Sequence, residues 1–333
     1  MNRQIIIGDI HGCFDEFEAL LKDIGITDED EIISLGDIVD RGPKSVALYE
    51  YFKNKENAKV IIGNHERKHI NGVLSYAQEI VKIQFGEKYE EFKNWLKTLD
   101  YYYETESAII VHAYYEHDKS LKEQREDVLC GSTSGSKYLE KKYGEENWTD
   151  KYAGEKPIIY GHHVVGENPK IENKTYGLDT GACHGGNLTA LELPSFKIHQ
   201  IKVASDYWAI ERKKWQIAVL EAKEWDKMTF DKIESEISKL EYIEDAKVQH
   251  YLKEKKEWIE KCFLRIEGLR EKLEAKCKEI VDEYGNKDFN LQASTYPYKV
   301  SLFRIKSKNF PLEELKDQLN TPEKIKILEN QLK

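Results

Sequence analysis

Short apolar runs alternate with polar turns and amphipathic stretches over residues 1–203 of the chain. This alternation predicts an α/β unit, because buried strands read as short apolar runs bounded by turn residues. The predicted strands span residues 4–7, 31–35, 59–62, 107–111, 157–160, 174–178, 187–193 and 197–203.

Helical periodicity fills several of the gaps between these strands. Apolar residues recur at helical spacing over residues 14–24, and a second helix is expected at 45–52, after Pro43. Residues 66–100 are predicted to be mainly helical. Residues 114–155 are polar and irregular, and this stretch is long enough to form a cap or rim over a site.

The pattern changes after residue 203, so we predict a second region at 204–333. Residues 206–284 contain no proline and a single glycine, which predicts long helices with a break near residues 228–230. A strand is expected at 299–305 and a terminal helix at 311–332.

A heptad seam runs along the second region. Ile259, Ile266, Leu273 and Ile280 recur every seven residues, and Cys262 and Leu269 occupy the intermediate positions. This pattern favours an intramolecular hairpin with the apolar residues Trp208, Trp215 and Val219. The alternative is a coiled coil through which the helices of residues 204–284 bind a second copy or another partner.

Composition narrows the class of protein. The 333 residues include 34% charged residues and carry a net charge of −10, which gives no overall attraction to nucleic acid. The apolar runs are too short to span a membrane, and no signal-peptide core follows the N-terminus. Five scattered cysteines suit reduced thiols, so a cytoplasmic location is expected.

Five short polar motifs each follow an apolar run, and they carry the candidate chemistry. They read Gly8-Asp9-Ile10-His11-Gly12, Gly36-Asp37-Ile38-Val39-Asp40-Arg41-Gly42, Gly63-Asn64-His65-Glu66, His112-Ala113 and Gly161-His162. Catalytic side chains of α/β proteins lie on loops at strand ends, so these motifs are expected to converge.

Their side chains form a ligand set for two divalent ions. Asp9 and His11 can bind one ion, and Asp37 can bridge both ions through its two carboxylate oxygens. The remaining ligands of the second ion would be Asn64, His112 and His162. Oxygen and nitrogen ligands without a thiolate suit Mn²⁺, our first choice, or Fe or Zn²⁺. Two such ions about 3.5–4 Å apart activate a bridging water for attack on a phosphate ester.

Three further residues have expected catalytic roles. His65 points away from its neighbour Asn64 on an extended chain and is better placed to protonate a leaving-group oxygen. Asp40 is the expected carboxylate partner of His65. The planar guanidinium of Arg41 suits bidentate contact with a phosphoryl group.

Together the motifs resemble those of the phosphoprotein-phosphatase family of binuclear metallophosphoesterases, in its bacterial and phage-type branch. The resemblance covers about residues 3–203 and implies a calcineurin-like fold, with two mixed β-sheets packed face to face and flanked by helices. It implies the metal and catalytic roles given above. Residues 178–191 also resemble diadenosine-tetraphosphate hydrolases and the phosphatase module of bacterial RNA-repair enzymes. Within residues 178–191, Asp179 either orients a ligand histidine or forms a turn.

The sequence departs from the family at two places. Many relatives carry a tryptophan and a second arginine between the last two histidines, whereas residues 128–135 contain neither. Either the phosphate clamp is one arginine short, or Arg125 or a lysine of residues 137–142 takes the place of the missing arginine. His163 follows His162 where relatives usually have Thr-Pro, and we expect it to face solvent or to be hydrogen-bonded.

These observations predict a hydrolase that acts on phosphoserine or phosphothreonine in proteins through a metal-bridging hydroxide. The alternative substrates are a dinucleoside polyphosphate, such as diadenosine tetraphosphate, and RNA-end phosphates. Tyr114, Tyr115 and Tyr138 could then stack on a base. An alternative of another class is a helical interaction scaffold with a vestigial site.

Overall fold

The computed structural model describes residues 3–308 and 310–333, whose strands form two five-stranded sheets. In pairing order, the first sheet contains β10 (Lys197–Lys202), β9 (Asn187–Leu193), β1 (Gln4–Ile7), β2 (Glu31–Ser34) and β3 (Ala58–Val60). The second contains β4 (Tyr102–Glu104), β5 (Ile109–Val111), β6 (Ile158–Tyr160), β8 (Thr175–Gly177) and β7 (Lys170–Glu172). Both sheets are mixed, because β1–β2–β3 and β5–β6–β8 are parallel and the other pairs are antiparallel.

An apolar layer between the sheets holds them face to face. Ile6 and Ile33 of the first sheet belong to the same buried cluster as Ile110 and Ile159 of the second. All four side chains are fully buried, and each such burial contributes about 1.5–3 kcal/mol. The predicted arrangement of two mixed sheets packed face to face is confirmed.

Helices cover the outer faces of both sheets. The helices that follow the first three strands are α1 (Phe14–Ile24), α2 (Ser45–Asn54), α3 (Asn64–Asn71), α4 (Tyr76–Phe85) and α5 (Tyr89–Leu96). Residues 114–155 contribute α6 (Glu126–Leu129), α7 (Thr133–Tyr143) and α8 (Trp148–Lys151). The apolar face of α1 buries Phe17 and Leu20 against the first sheet, whereas Trp148 packs on the second.

The chain divides into two compact units, Met1–Val219 and Leu220–Lys333. The first unit therefore continues beyond the composition change at residue 203 and includes α9 (Tyr207–Lys214). Its Tyr207 hydroxyl donates a hydrogen bond of 2.7 Å to Glu16 on α1. The following helix, α10 (Gln216–Ala222), contains the division.

In the second unit a long helix packs against shorter ones. Its helices are α11 (Phe230–Ser238), α12 (Ala246–Ala293, interrupted at Gly285), α13 (Lys299–Lys306), α14 (Leu312–Gln318) and α15 (Pro322–Gln331). The six heptad-seam residues are buried. Arg265 of α12 forms a bidentate ion pair with Glu329 of α15, and the Cys277 thiol donates to the carbonyl of Leu302 on α13. Helices of the same unit thus contact α12, and coiled-coil pairing with a second copy stays a prediction.

The predicted strand at 299–305 is wrong, because these residues form α13. Their apolar alternation resembles a strand, yet no strand lies nearby in the described part of the unit, and Leu302 buries against α12 while Val300 is exposed. The predicted helix at 311–332 is two helices, with Thr321 capping the second. No helix in residues 3–308 or 310–333 combines the length and apolarity needed to cross a membrane.

Candidate metal centre

The five motifs converge where the carboxyl ends of the parallel strands of both sheets meet. Asp37 follows β2, and its Oδ2 lies 3.6 Å from Nε2 of His11, after β1, and 3.6 Å from Nε2 of His112, after β5. The peptide N–H of Gly161, after β6, donates to the carbonyl of His112. Residues far apart in sequence are therefore brought around one carboxylate.

Asp37 belongs to two clusters of ligand atoms. Its carboxylate lies with His11 and His65 in one cluster and with His112 and His162 in the other, and in each the atoms lie within 4.8 Å of one another. The Oδ1 atom of Asn64 lies 3.1 Å from Nε2 of His112 and 3.0 Å from Nδ1 of His162. Asp37 is thus placed to bridge two ions, as a shared ligand must be.

Asp9 belongs to neither cluster and contacts His162 of the second one. Its buried carboxylate oxygens accept the peptide N–H of His162 at 3.2 and 3.1 Å. A Cβ at position 161 would collide with Asp9 Oδ1, so only glycine permits this approach. The cluster around His11 and Asp37 contains His65, and the shared ion of Asp9 and His11 stays a prediction.

The electrostatics of the site fit divalent cations. Burial, together with the carboxylates of Asp179 and Asp37, raises the pKa of Asp9 well above its ordinary value. Burial also acts to raise the pKa of Asp37, but the neighbouring imidazoles, His112 first, outweigh it and hold that pKa well below its ordinary value. A divalent cation would offset the repulsion among these carboxylates.

Two imidazoles are oriented for coordination through Nε2. Nδ1 of His11 lies 2.9 Å from the carbonyl oxygen of Val39, and Nδ1 of His112 lies 2.8 Å from that of Leu35. When Nδ1–H donates to these carbonyls, Nε2 carries the lone pair and faces Asp37. Burial lowers the pKa of His11 and, with His112, that of His162 to about 2, so both rings are neutral, as metal ligands must be.

Several site residues adopt left-handed backbone conformations. The φ angles are 45° for His11, 49° for Asp37, 71° for Asp40, 66° for Arg41 and 74° for His162. Each such residue costs about 1–3 kcal/mol and persists only where its surroundings fix it. Here the first two motif loops interlock, since the peptide N–H of His11 donates to the carbonyl of Asp37 at 2.8 Å.

The comparison with family models decides the family. The model of calcineurin-like phosphoesterases matches residues 3–185, more than half of the chain. The chain is a calcineurin-like phosphoesterase. Members of this family use divalent metal ions, and the clusters around Asp37 supply groups that could hold them.

Similar proteins agree with this assignment. The asymmetrical bis(5'-nucleosyl)-tetraphosphatase PrpE of Bacillus cereus (strain Q1) is 31% identical over 230 residues, which are 58% of this chain and 91% of that protein. The protein of the same name from Bacillus mycoides is 30% identical over 229 residues, with the same coverage. A crystal structure provisionally named a diadenosine tetraphosphatase covers 60% of this chain and 93% of its own, with 22% identity and a TM-score of 0.50, and supports the fold.

In this phosphoesterase, hydrogen bonds to Glu66 connect the second motif with the third, a role that the sequence analysis did not predict. The buried Glu66 carboxylate accepts the peptide N–H groups of Asp37 at 2.8 Å, Ile38 at 3.0 Å and Gly63 at 3.0 Å. It therefore fixes the loop that carries the bridging carboxylate against the start of α3. The signal was present in the sequence, since Glu66 ends the third motif.

His65 and Asp40 form the expected pair, with Nδ1 of His65 2.6 Å from Oδ2 of Asp40. Two further residues, which were not predicted, contact the carboxylate oxygens of Asp40. Nε2 of His69 lies 3.0 Å from Oδ1 of Asp40, and the Gln78 amide donates to Oδ2. Arg41 lies in front, with NH1 3.1 Å from Nε2 of His11 and NH2 3.1 Å from Nε2 of His65.

Asp179 is buried at the edge of the centre. Its Oδ1 accepts the peptide N–H of Gly181 at 3.0 Å, which is the contact of a turn-forming aspartate. Among the described residues no histidine N–H donates to it. His163 is exposed and its Nε2 lies 2.7 Å from the Tyr114 hydroxyl, while Tyr115 is buried in the core.

Two of the expected substitutes for the missing arginine, Arg125 and Lys142, are engaged elsewhere. Arg125 forms a bidentate ion pair with Asp127, at 2.9 and 3.0 Å, and lies 4.2 Å from the ring centroid of Tyr138. Lys142 pairs with Glu116 and with a second acidic residue of the same loop. These contacts hold residues 114–143 together as a rim.

Proposed function

We propose that this chain hydrolyses phosphoric esters with the help of two divalent ions, Mn²⁺ being the first choice. The observation that carries the proposal is the position of Asp37 Oδ2, 3.6 Å from Nε2 of both His11 and His112. The residues that would hold the ions are Asp9, His11, Asp37, Asn64, His112 and His162. When bound, such ions lower the pKa of water and neutralise phosphate charge.

The remaining chemistry is assigned to side chains beside the centre. Arg41 presents two guanidinium nitrogens between His11 and His65, and in the complex this fork would turn to two phosphate oxygens. His65 would donate its Nε2 proton to the leaving oxygen. The Asp40 carboxylate, 2.6 Å from Nδ1 of His65, would stabilise the imidazolium before that transfer.

Two substrate classes are supported by different observations. Relatives about 30% identical over 58% of the chain are named bis(5'-nucleosyl)-tetraphosphatases, which favours a dinucleoside polyphosphate. The order and content of the five motifs favour phosphoserine or phosphothreonine in proteins. The two reactions need the same centre and differ in what the rim must bind.

Mn²⁺-dependent turnover of a phosphothreonine peptide and of diadenosine tetraphosphate, measured side by side, separates these classes. An Asp37→Asn variant serves as the blank, because it removes the negative charge shared by both clusters. The proposed chemistry is supported if the native chain hydrolyses either substrate and the Asp37→Asn variant hydrolyses neither. Hydrolysis of neither, by protein that binds Mn²⁺, would favour the vestigial-site alternative.

A further inference from the structure

Arg67 is a guanidinium at the border of the metal centre that none of the assigned roles uses. It lies on α3, three residues after Asn64, and residues three apart share a helix face. Its NH1 donates to the Cys130 thiol at 3.5 Å, and its Cζ lies 5.5 Å from the ring centroid of Tyr101. The side chain is thereby directed onto residues 128–135, the segment that contains no arginine of its own.

The next residue along that segment contacts the centre itself. A Cβ at Gly131, where φ is 66°, would lie 2.8 Å from Nε2 of His162. The partner of Arg67 is therefore adjacent in sequence to a residue that packs against a candidate metal ligand. Arg67 lies on the Asn64 and His162 side of the centre, whereas Arg41 lies on the His11 and His65 side.

The hydrogen-bonding capacity of Arg67 is largely unused. Arg3 and Arg125 are each neutralised by a bidentate aspartate, but Arg67 forms no ion pair with any carboxylate of residues 3–308 or 310–333. A guanidinium has five N–H donors, and a thiol is a weak acceptor for one of them. A half-buried, unpaired guanidinium held by a ring and a thiol suits a planar anionic partner.

We propose that Arg67 binds a phosphate group of the substrate next to the one held at the metal centre. The inference rests on the proposed function and narrows it, because such a residue favours a polyphosphate chain over an isolated phosphomonoester. Arg67 is then a specificity-determining residue, and the phosphate bound at the centre is contacted by Arg41.

Calorimetric binding of inorganic tripolyphosphate and of orthophosphate to full-length protein tests this role, with Mn²⁺ kept in excess over the anion. The Arg67→Ala variant is expected to bind tripolyphosphate about tenfold or more weakly, since a charge-assisted contact is lost. Its affinity for orthophosphate should stay within about twofold of native. The tripolyphosphate affinity of the Arg67→Lys variant should lie between those of the native protein and of Arg67→Ala, because lysine keeps the charge but not the planar guanidinium.

Arg3→Ala is the matched control, since this arginine lies away from the centre and is already paired with Asp30. It should change neither affinity. Unchanged tripolyphosphate binding in Arg67→Ala, or equal weakening of both anions, would overturn the inference. Turnover of 4-nitrophenyl phosphate by the native protein, measured separately, tests the proposed function, so the two can fail independently.

Discussion

Replacing Asp40 with Asn tests the His65–Asp40 pair most sharply. The Asp40 carboxylate is fully buried and faces three donors, from His65, His69 and Gln78. Burial acts to raise its pKa, but His69 and His65 hold that pKa well below its ordinary value, so Asp40 is anionic at neutral pH. An asparagine keeps one acceptor oxygen and turns an NH₂ group toward donors at the other position.

The expected magnitudes follow from these contacts. Loss of one or two charge-assisted hydrogen bonds should lower the free energy of unfolding by about 2–4 kcal/mol. Without the carboxylate, the His65 ring loses the partner that orients it, and general acid catalysis contributes about 10²–10⁴-fold to a rate. We therefore expect Asp40→Asn to lower kcat by at least about 10²-fold for alkyl phosphates. The loss should be far smaller for 4-nitrophenyl phosphate, whose leaving group departs without a proton.

The assay is a series of aryl and alkyl phosphates that spans leaving-group basicity, measured on folded protein with saturating metal. The dependence of log kcat on leaving-group pKa should be steeper in Asp40→Asn than in the native enzyme. The control is Asp30→Asn, which alters a buried carboxylate that is paired with Arg3 away from the centre. Parallel dependences in the native and Asp40→Asn enzymes would refute the acid role of His65.

Two further predictions concern metal affinity and acid stability. Glu66→Gln removes one of the acceptor oxygens that hold the peptide N–H groups of Asp37 and Gly63, so calorimetry should show Mn²⁺ binding weakened about tenfold or more. Arg3 lowers the pKa of Asp30 to about 2, so this carboxylate stabilises the fold above about pH 4, and the gain disappears as the pH falls toward 2. Asp30→Asn should be about 1–2 kcal/mol less stable than native at pH 7 and equally stable near pH 2, as denaturant titrations at both pH values would show.

The sequence carried enough information for the fold of the first unit. Polar motifs at the ends of apolar runs predict convergence, because parallel strands deliver their carboxyl ends to one edge. Asp37, His112 and His162, which are far apart in the chain, indeed form one cluster. Two edge strands were missed because neither is an apolar run: β4 combines two half-buried tyrosines with an exposed glutamate, and β7 places Ile171 between two charged residues.

The residues behind the site could not be read from sequence. His69 and Gln78 lie on ordinary amphipathic helices, and only packing brings them to the buried carboxylate of Asp40. The contact of Arg67 with Cys130 could not be predicted either, because the two residues are more than sixty positions apart in the chain. The strand predicted at residues 299–305 was wrong for a different reason. Apolar and polar residues do alternate there, but the segment packs against α12 as a helix.

The two-ion centre is tested most directly by measuring metal content and 4-nitrophenyl phosphate turnover on the same samples. Native protein would be stripped with a chelator, reloaded with Mn²⁺ in steps, and compared with Asp37→Asn at each step. We expect two ions per native chain, turnover that appears as the sites fill, and loss of both binding and turnover in the variant. Full turnover by the stripped protein, or two ions and native turnover in Asp37→Asn, would contradict this expectation.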